Sequence, residues 1–227
     1  VDLLYNIFLK QLKNNNGTIL TDIKILNFKK NKKDWKIKTE NDTLHCKIIV
    51  NAAGAWVDDI AKKINTKTIN LIPKRRTGFC FKPSNLKVNK NWPLCVDVDE
   101  KFYFKAEHDL ILASPADETP TIAQDCLPEE LDIAIGIDRI NNATKFEFKN
   151  IVNKWAGLRN FVFDKTPVIG FDKNIENFYW LSGQGGYGIQ TSPALSDIAA
   201  NEILNKSNDF FFKKIGIDSK LLSINRF

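Results

Sequence analysis

A strand (Phe178 to Leu181), a glycine-rich turn (Ser182 to Gly188) and a helix (about Thr191 to Leu204) follow one another directly, and this order constrains the chain more than any other feature. A strand that runs through small residues into a helix is half of a βαβ unit. The order occurs a second time. His45 to Val50 reads as a strand, most apolar at its end as a buried strand is; Asn51-Ala-Ala-Gly54-Ala-Trp56 is the turn; and Val57, Ile60, Ala61 and Ile64 form a helical face. Small residues at such a turn let the backbone approach a phosphate or a ring, and the amides that open the helix favour an anion. Tight strand-to-helix packing accounts for the turn at Asn51 equally well.

Between these junctions the pattern changes. Arg76 to Phe81, Leu94 to Asp97, Lys101 to Phe104 and Leu110 to Ala113 are short strands at hairpin spacing, followed by an expected helix over Leu127 to Ile140 that is acidic at its start. They predict an antiparallel sheet inserted into, or leaning against, the α/β part. Upstream, Leu3, Leu4, Ile7, Phe8 and Leu12 predict a helix of about fourteen residues, with Asp2 as N-cap and Gly17 as its stop. Strands are expected over Thr18 to Phe28 and Trp35 to Thr39, and the lysine-rich run Lys29 to Lys36 reads as a hairpin tip. The chain after Ser207 carries no clear pattern.

Composition narrows the chemistry. Of 227 residues only two are histidine, His45 and His108, which leaves little for a histidine ligand set or a hydrolase triad. Cys46, Cys80, Cys95 and Cys126 stand singly with no CxxC pair, so neither a zinc site nor a disulfide framework is expected and no metal is assigned. A reducing, cytoplasmic setting is the default. The net charge of +6 comes from 28 lysines against five arginines, scattered along the chain rather than grouped with aromatics, which argues against nucleic-acid binding. No apolar run reaches the length of a membrane span and no signal peptide is visible. Methionine is absent even at position 1, which suggests a piece of a longer protein.

Gly183-x-Gly185-x-x-Gly188 matches the dinucleotide fingerprint to the letter. The fingerprint also needs a further parallel strand ending in an acid for the ribose, and the nearest acid at suitable spacing, Glu202, falls inside the helix. Two other readings stand beside it: a plain structural turn, and a turn whose amides and helix start face an electron-rich ring or a carbonyl that develops negative charge.

Ile49-Val-Asn-Ala-Ala-Gly-Ala-Trp56, Ser114-Pro-Ala-Asp-Glu-Thr-Pro120, Trp155-Ala-Gly-Leu-Arg159, Pro167-Val-Ile-Gly170 and Trp180-Leu-Ser-Gly-Gln-Gly-Gly-Tyr-Gly-Ile-Gln-Thr-Ser-Pro-Ala194 together resemble the FAD-dependent oxidoreductases of the D-amino-acid oxidase family, nearest its glycine oxidase and D-amino-acid dehydrogenase-like members. The resemblance covers roughly residues 1 to 205. It implies a mixed α/β fold: a partial, Rossmann-like FAD-binding lobe over residues 1–69, an antiparallel substrate lobe over 70–153, a return to the FAD lobe over 154–207 and a tail over 208–227. It further implies that Arg159 pairs with a substrate carboxylate and that Tyr103 supports it or lines the site. Gly183, Gly185, Gly186, Tyr187, Gly188, Ile189 and Gln190 would lie against the flavin, and Ala52, Ala53, Gly54 and Trp56 near its phosphates and adenosine side. FAD is expected to be noncovalent, because the region around Leu158 holds no cysteine where some relatives attach it.

The implied activity is oxidation of an amino acid or secondary amine by hydride transfer to flavin, giving an imine that hydrolyses. The family's N-terminal strand, GxGxxG turn and helix have no counterpart before Val1, so the alternative expectation is a truncated or split chain that is inactive or needs a separate N-terminal FAD-binding polypeptide. Lys74-Arg75-Arg76 reads as the solvated start of a strand, with guidance of an anionic substrate as its second reading.

Overall fold

The computed structural model describes residues 1–32 and 34–227, and the chain divides into two units, Val1–Ile69 with Lys165–Phe227, and Asn70–Asp164. The lysine-rich run is the end of a β-hairpin, and its Lys33 lies outside the described residues.

The first unit opens with α1 (Asp2–Asn14), whose N-cap is Val1 rather than Asp2. The left-handed residue that ends it is Asn16 (φ 60°), not Gly17. Gly17 serves instead by being small: its amide donates to the Leu12 carbonyl, and a Cβ there would come within 2.2 Å of the Leu12 side chain. A three-stranded antiparallel sheet follows, β1 (Ile25–Lys30), β2 (Trp35–Thr39) and β3 (Thr43–Cys46). The strand expected over His45 to Val50 is two strands. β3 belongs to this small sheet, whereas β4 (Ile49–Asn51) pairs in parallel with a strand far downstream. A parallel partner so distant leaves no local trace in the sequence.

After β4, a 3-10 turn over Gly54–Trp56 leads into α2 (Val57–Ile64), which buries Val57, Ala61 and Ile64 at helical spacing. Asn51 ties strand to helix, its Nδ2 donating to the Val57 carbonyl at 2.9 Å.

The second unit is a six-stranded antiparallel sheet made of β5 (Ile72–Pro83), β6 (Cys95–Val96), β7 (Tyr103–Glu107), β8 (Leu110–Ser114), β9 (Thr119–Pro120) and β10 (Phe148–Phe161), crossed by α3 (Glu130–Ala143). Its order is β10-β5-β8-β7-β6, with β9 beside β5. Phe79, Phe81, Ile111 and Ala113 pack on Ile133 and Ile140 of α3. Gly136 of α3 is small because a Cβ there would stand 3.0 Å from the Phe79 ring. β10 escapes periodicity because its register shifts twice in its first half, so that Phe148 and Ile151, three residues apart, pack on the core while the residues between and after them are largely exposed.

The chain returns to the first unit through β11 (Val168–Phe171) and β12 (Phe178–Ser182), then α4 (Gly188–Ile203) and α5 (Asp209–Ile215). β12 is the centre of the sheet β11-β12-β4. Phe178, Tyr179 and Trp180 are fully buried there. α5 is ordered because Phe212 joins Ile169, Leu195 and Ile198 in one apolar cluster, and Arg226 fastens the last turn by donating to the Thr166 and Pro167 carbonyls.

Asp172, in the β11–β12 turn, is the polar hub of this unit. It accepts from Trp180 Nε1 at 3.0 Å, Thr66 Oγ1 at 2.8 Å and the amides of Asn174 and Ile175. Burial by itself would raise its pKa, but these donors outweigh burial and hold the carboxyl below the usual range. A group depressed on folding contributes stability that is full above its unfolded pKa of about 3.9 and is lost as pH falls through the folded value. Acid titration of the folded protein is therefore expected to show a loss of stability below about pH 4 that is smaller in Asp172→Asn. Equal acid sensitivity in the two proteins would contradict this role.

Candidate functional site

The candidate residues form two groups, one in each unit. In the first, β4 and β12 run parallel with Asn51 opposite Trp180, so the turns that follow them leave the sheet at the same end. This is the carboxyl end of parallel strands, where open α/β sheets bind ligands. Ala52, Ala53, Gly54 (φ 57°) and Trp56 form the first turn, with Trp56 45% exposed. Gly183 (φ 69°) and Gly185 (φ 55°) carry the second through left-handed conformations that side chains disfavour.

Gly188 opens α4, so Gly188, Ile189 and Gln190 supply first-turn amides that have no partner within a helix. No side chain caps this end, and the first turn contains no acid. Tyr187 and Ile189 are exposed, at 63% and 53%. After α4 the chain continues into α5 and 3-10 turns, so the further parallel strand that a dinucleotide fingerprint requires does not occur among the described residues.

Two residues that the sequence did not single out complete this group. Asn51 Oδ1 and Ser182 Oγ are buried side-chain atoms without a hydrogen-bond partner among the described residues. They stand at the last positions of the two parallel strands, each directly before a candidate turn. Buried polar atoms are ordinarily paired, so two orphans at this place fit a polar ligand held against the turns. Asn51 Oδ1 needs a donor and Ser182 Oγ can donate or accept, so the set fits a ligand with both kinds of group; FAD offers ribose and ribityl hydroxyls and a ring N–H as donors, and phosphates and ring carbonyls as acceptors.

In the second unit, strand register sorts the side chains by face. Arg76 is opposite Gly157 and Lys74 opposite Arg159, while Tyr103 is opposite Ser114. These residues share the face turned away from α3. Arg75 points the other way, where it pairs with Glu129 and with Asp132 at 2.8 Å on the α3 side. The expectation of a solvated strand start at Lys74-Arg75-Arg76 is therefore corrected: the three side chains are only 21%, 11% and 12% exposed. The alternation along β5, applied to the three cations separately, is the signal that divides them.

The Ser114 to Pro120 motif is structural here. Ser114 Oγ accepts from the Ala116 amide, and Asp117 accepts from both the amide and the hydroxyl of Thr77, at 2.7 and 3.0 Å. This sets Glu118 against Lys74 and Arg76 at 3.0 and 3.1 Å. Arg159 is half-buried and makes no side-chain hydrogen bond or ion pair among the described residues. Burial, followed by the Arg159 charge, pushes the Arg76 guanidinium below its ordinary pKa. Trp155 lies over Gly78, where a Cβ would stand 2.6 Å from its indole.

The chain thus combines an antiparallel sheet with a unit whose two parallel strands run into small-residue turns, a mixed α/β architecture. The chain matches the family described as FAD dependent oxidoreductase (DAO) over residues 3–202, and it belongs to that family. It is 26% identical over 209 residues to FAD-dependent oxidoreductase domain-containing protein 1 of Xenopus laevis, covering 83% of this chain and 40% of that protein. Among solved structures it is similar to L-proline dehydrogenase from P. horikoshii, with TM-score 0.72, 20% identity, and coverage of 88% of this chain and 55% of that one. It is also similar to glycine oxidase from Geobacillus kaustophilus, with TM-score 0.71, 14% identity, and coverage of 93% and 54%. The chain thus spans about half or less of each of these three proteins. No described helix is long and apolar enough to cross a membrane, and no group of three or more His, Cys, Asp or Glu side chains that could hold a metal occurs among the described residues.

Proposed function

We propose that this chain belongs to a flavoenzyme that oxidises a small amino acid or secondary amine, with FAD held noncovalently by the two turns of the first unit. The observation that carries this reading is the pair of unpartnered buried atoms, Asn51 Oδ1 and Ser182 Oγ, at the ends of adjacent parallel strands beside an uncapped helix start. The turn Gly183 to Gln190 faces the flavin ring, where first-turn amides stabilise negative charge. Ala52, Ala53, Gly54 and Trp56 serve the phosphate and adenosine side. Bound FAD would supply the hydride acceptor for oxidation at the carbon next to the substrate nitrogen; the substrate, having also given up its nitrogen proton to solvent, would be an imine that hydrolyses in water.

The protein then needs to supply orientation and electrostatics rather than acid–base groups, which agrees with its two histidines. Arg159 binds the substrate carboxylate through its planar fork, and the Tyr103 hydroxyl supports the same group. The names of two structural relatives, a proline dehydrogenase and a glycine oxidase, support an amino-acid substrate. The test is product formation: flavin-loaded protein incubated with glycine, N-methylglycine and proline, with an artificial electron acceptor, is expected to yield the corresponding carbonyl or cyclic imine product from at least one of them. Absence of product from a wide panel of amino acids and amines, with flavin demonstrably bound, would overturn the reading.

A further inference from the structure

Arg76 lies on the face of β5 turned away from α3, where it pairs with Glu118. Arg76 and Arg159 are diagonal neighbours across the β5–β10 ladder, a relation that places residues about 7–8 Å apart. The position directly opposite Arg76 is Gly157, where a Cβ would meet nothing within 4 Å, so there is open space beside both guanidinium stems. The Arg76 side chain is only 12% exposed, yet its Nε is buried with no hydrogen-bond partner among the described residues. A buried N–H donor of a charged group left unpaired is unfavourable, and a bound acceptor removes that penalty.

Lys74, Arg76 and Arg159 carry three positive charges, and the carboxylate in contact with them is Glu118, which is shared between Lys74 and Arg76 and is 39% exposed. Asp117 and Glu118 both offset the Arg76 charge, so what this face offers a ligand is donors rather than surplus charge: the unpaired Arg76 Nε and the Arg159 guanidinium. One carboxylate on Arg159 leaves Arg76 Nε unpaired, whereas a second carboxylate satisfies it. The acids Glu129 and Asp132 are engaged by Arg75 on the opposite face, and Asp117, held by Thr77, stands 3.8 Å from Arg75 Nε. The like-charge crowding of Arg76 by Arg159 acts in the same direction, because an anion between them relieves it.

We propose that Arg76 is a second anion-binding residue of the site, and that the substrate is an amino or imino dicarboxylic acid with one carboxylate on Arg159 and the other on Arg76. This rests on the reading that Arg159 takes a substrate carboxylate and adds the identity of the second group.

The experiment uses malonate and acetate, which have no nitrogen to oxidise, as probes titrated calorimetrically into flavin-loaded protein. The unaltered protein is expected to bind malonate at least about tenfold more tightly than acetate. Arg76→Gln is expected to weaken malonate by about 10- to 100-fold, to the level of acetate, with acetate little changed. Arg76→Lys keeps the charge and the Glu118 pair but loses the fork, and is expected to fall between the two; it also serves if the Gln variant melts early. Equal binding of the two anions by the unaltered protein, or an Arg76 substitution that spares malonate or weakens both anions alike, would overturn the proposal. The underlying reading fails separately: Arg159→Ala would then leave acetate bound as before, while Arg76→Gln still removed the advantage of malonate.

Discussion

Replacing Arg159 with alanine is expected to raise KM for an amino-acid substrate by about 10²-fold or more, with the flavin content of the protein unchanged. The magnitude follows from the group removed. A bidentate guanidinium–carboxylate contact contains two charge-assisted hydrogen bonds, each worth about 1.5–3 kcal/mol, and each 1.4 kcal/mol is a factor of ten. Arg159 is free to make that contact because it is half-buried and has no side-chain partner among the described residues. A structural arginine in such a position would ordinarily be paired, as Arg75 is with Glu129 and Asp132. Arg159→Lys restores the charge without the fork and is expected to recover only part of the loss. Steady-state kinetics on flavin-loaded protein, with the ratio of flavin to protein absorbance as a control, checks both statements. A KM that does not move removes Arg159 from the site.

The largest effect on stability is expected at Trp180. Its side chain is fully buried, its ring stands edge-on to Phe178 at 5.3 Å, and its Nε1 donates to Asp172. Trp180 is also the residue opposite Asn51, so it packs the strand pair from which both candidate turns emerge. Trp180→Ala is expected to cost about 3–5 kcal/mol through lost contact and the cavity left behind. Trp180→Phe fills most of the volume but leaves Asp172 short of a donor, at a cost of about 1–3 kcal/mol. Denaturant unfolding measures both, and the Ala variant should also lose flavin, since the turns depend on this strand pair. A Trp180→Ala protein as stable as the parent would show that the centre of the β11-β12-β4 sheet is not where the turns are anchored.

Much of this arrangement is legible in the residues. Wherever apolar positions recur at the period of the element, as in α2 with Val57, Ala61 and Ile64 or in the short strands of the second unit, local pattern and packing agree. The glycine turn is legible because Gly183 and Gly185 adopt conformations that few other residues tolerate. What is not legible is set by distant pairing. The split of His45 to Val50 into two strands depends on β12, more than a hundred residues away. β10 depends on β5 and shows no periodicity of its own in its first half. The ordered C-terminal helix depends on the Phe212 cluster.

The same holds for the site. Asn51 and Ser182 are ordinary residues until the fold buries their polar atoms unpaired. The alternation along β5 puts Arg75 and Arg76 on opposite faces, and only the fold shows which of those faces α3 and its acids occupy. What fills each of these places is tertiary information.

Whether the chain serves flavin-dependent oxidation of an amino acid or amine is decided most directly by anaerobic mixing of the flavin-loaded protein with a panel of amino acids and secondary amines, dicarboxylic ones included, while following the visible absorbance of the flavin. Bleaching by at least one of them is expected, slower when the hydrogen on the carbon next to nitrogen is replaced by deuterium, and far slower in Arg159→Ala. A flavin that dithionite bleaches but no amino acid or amine reduces would contradict it.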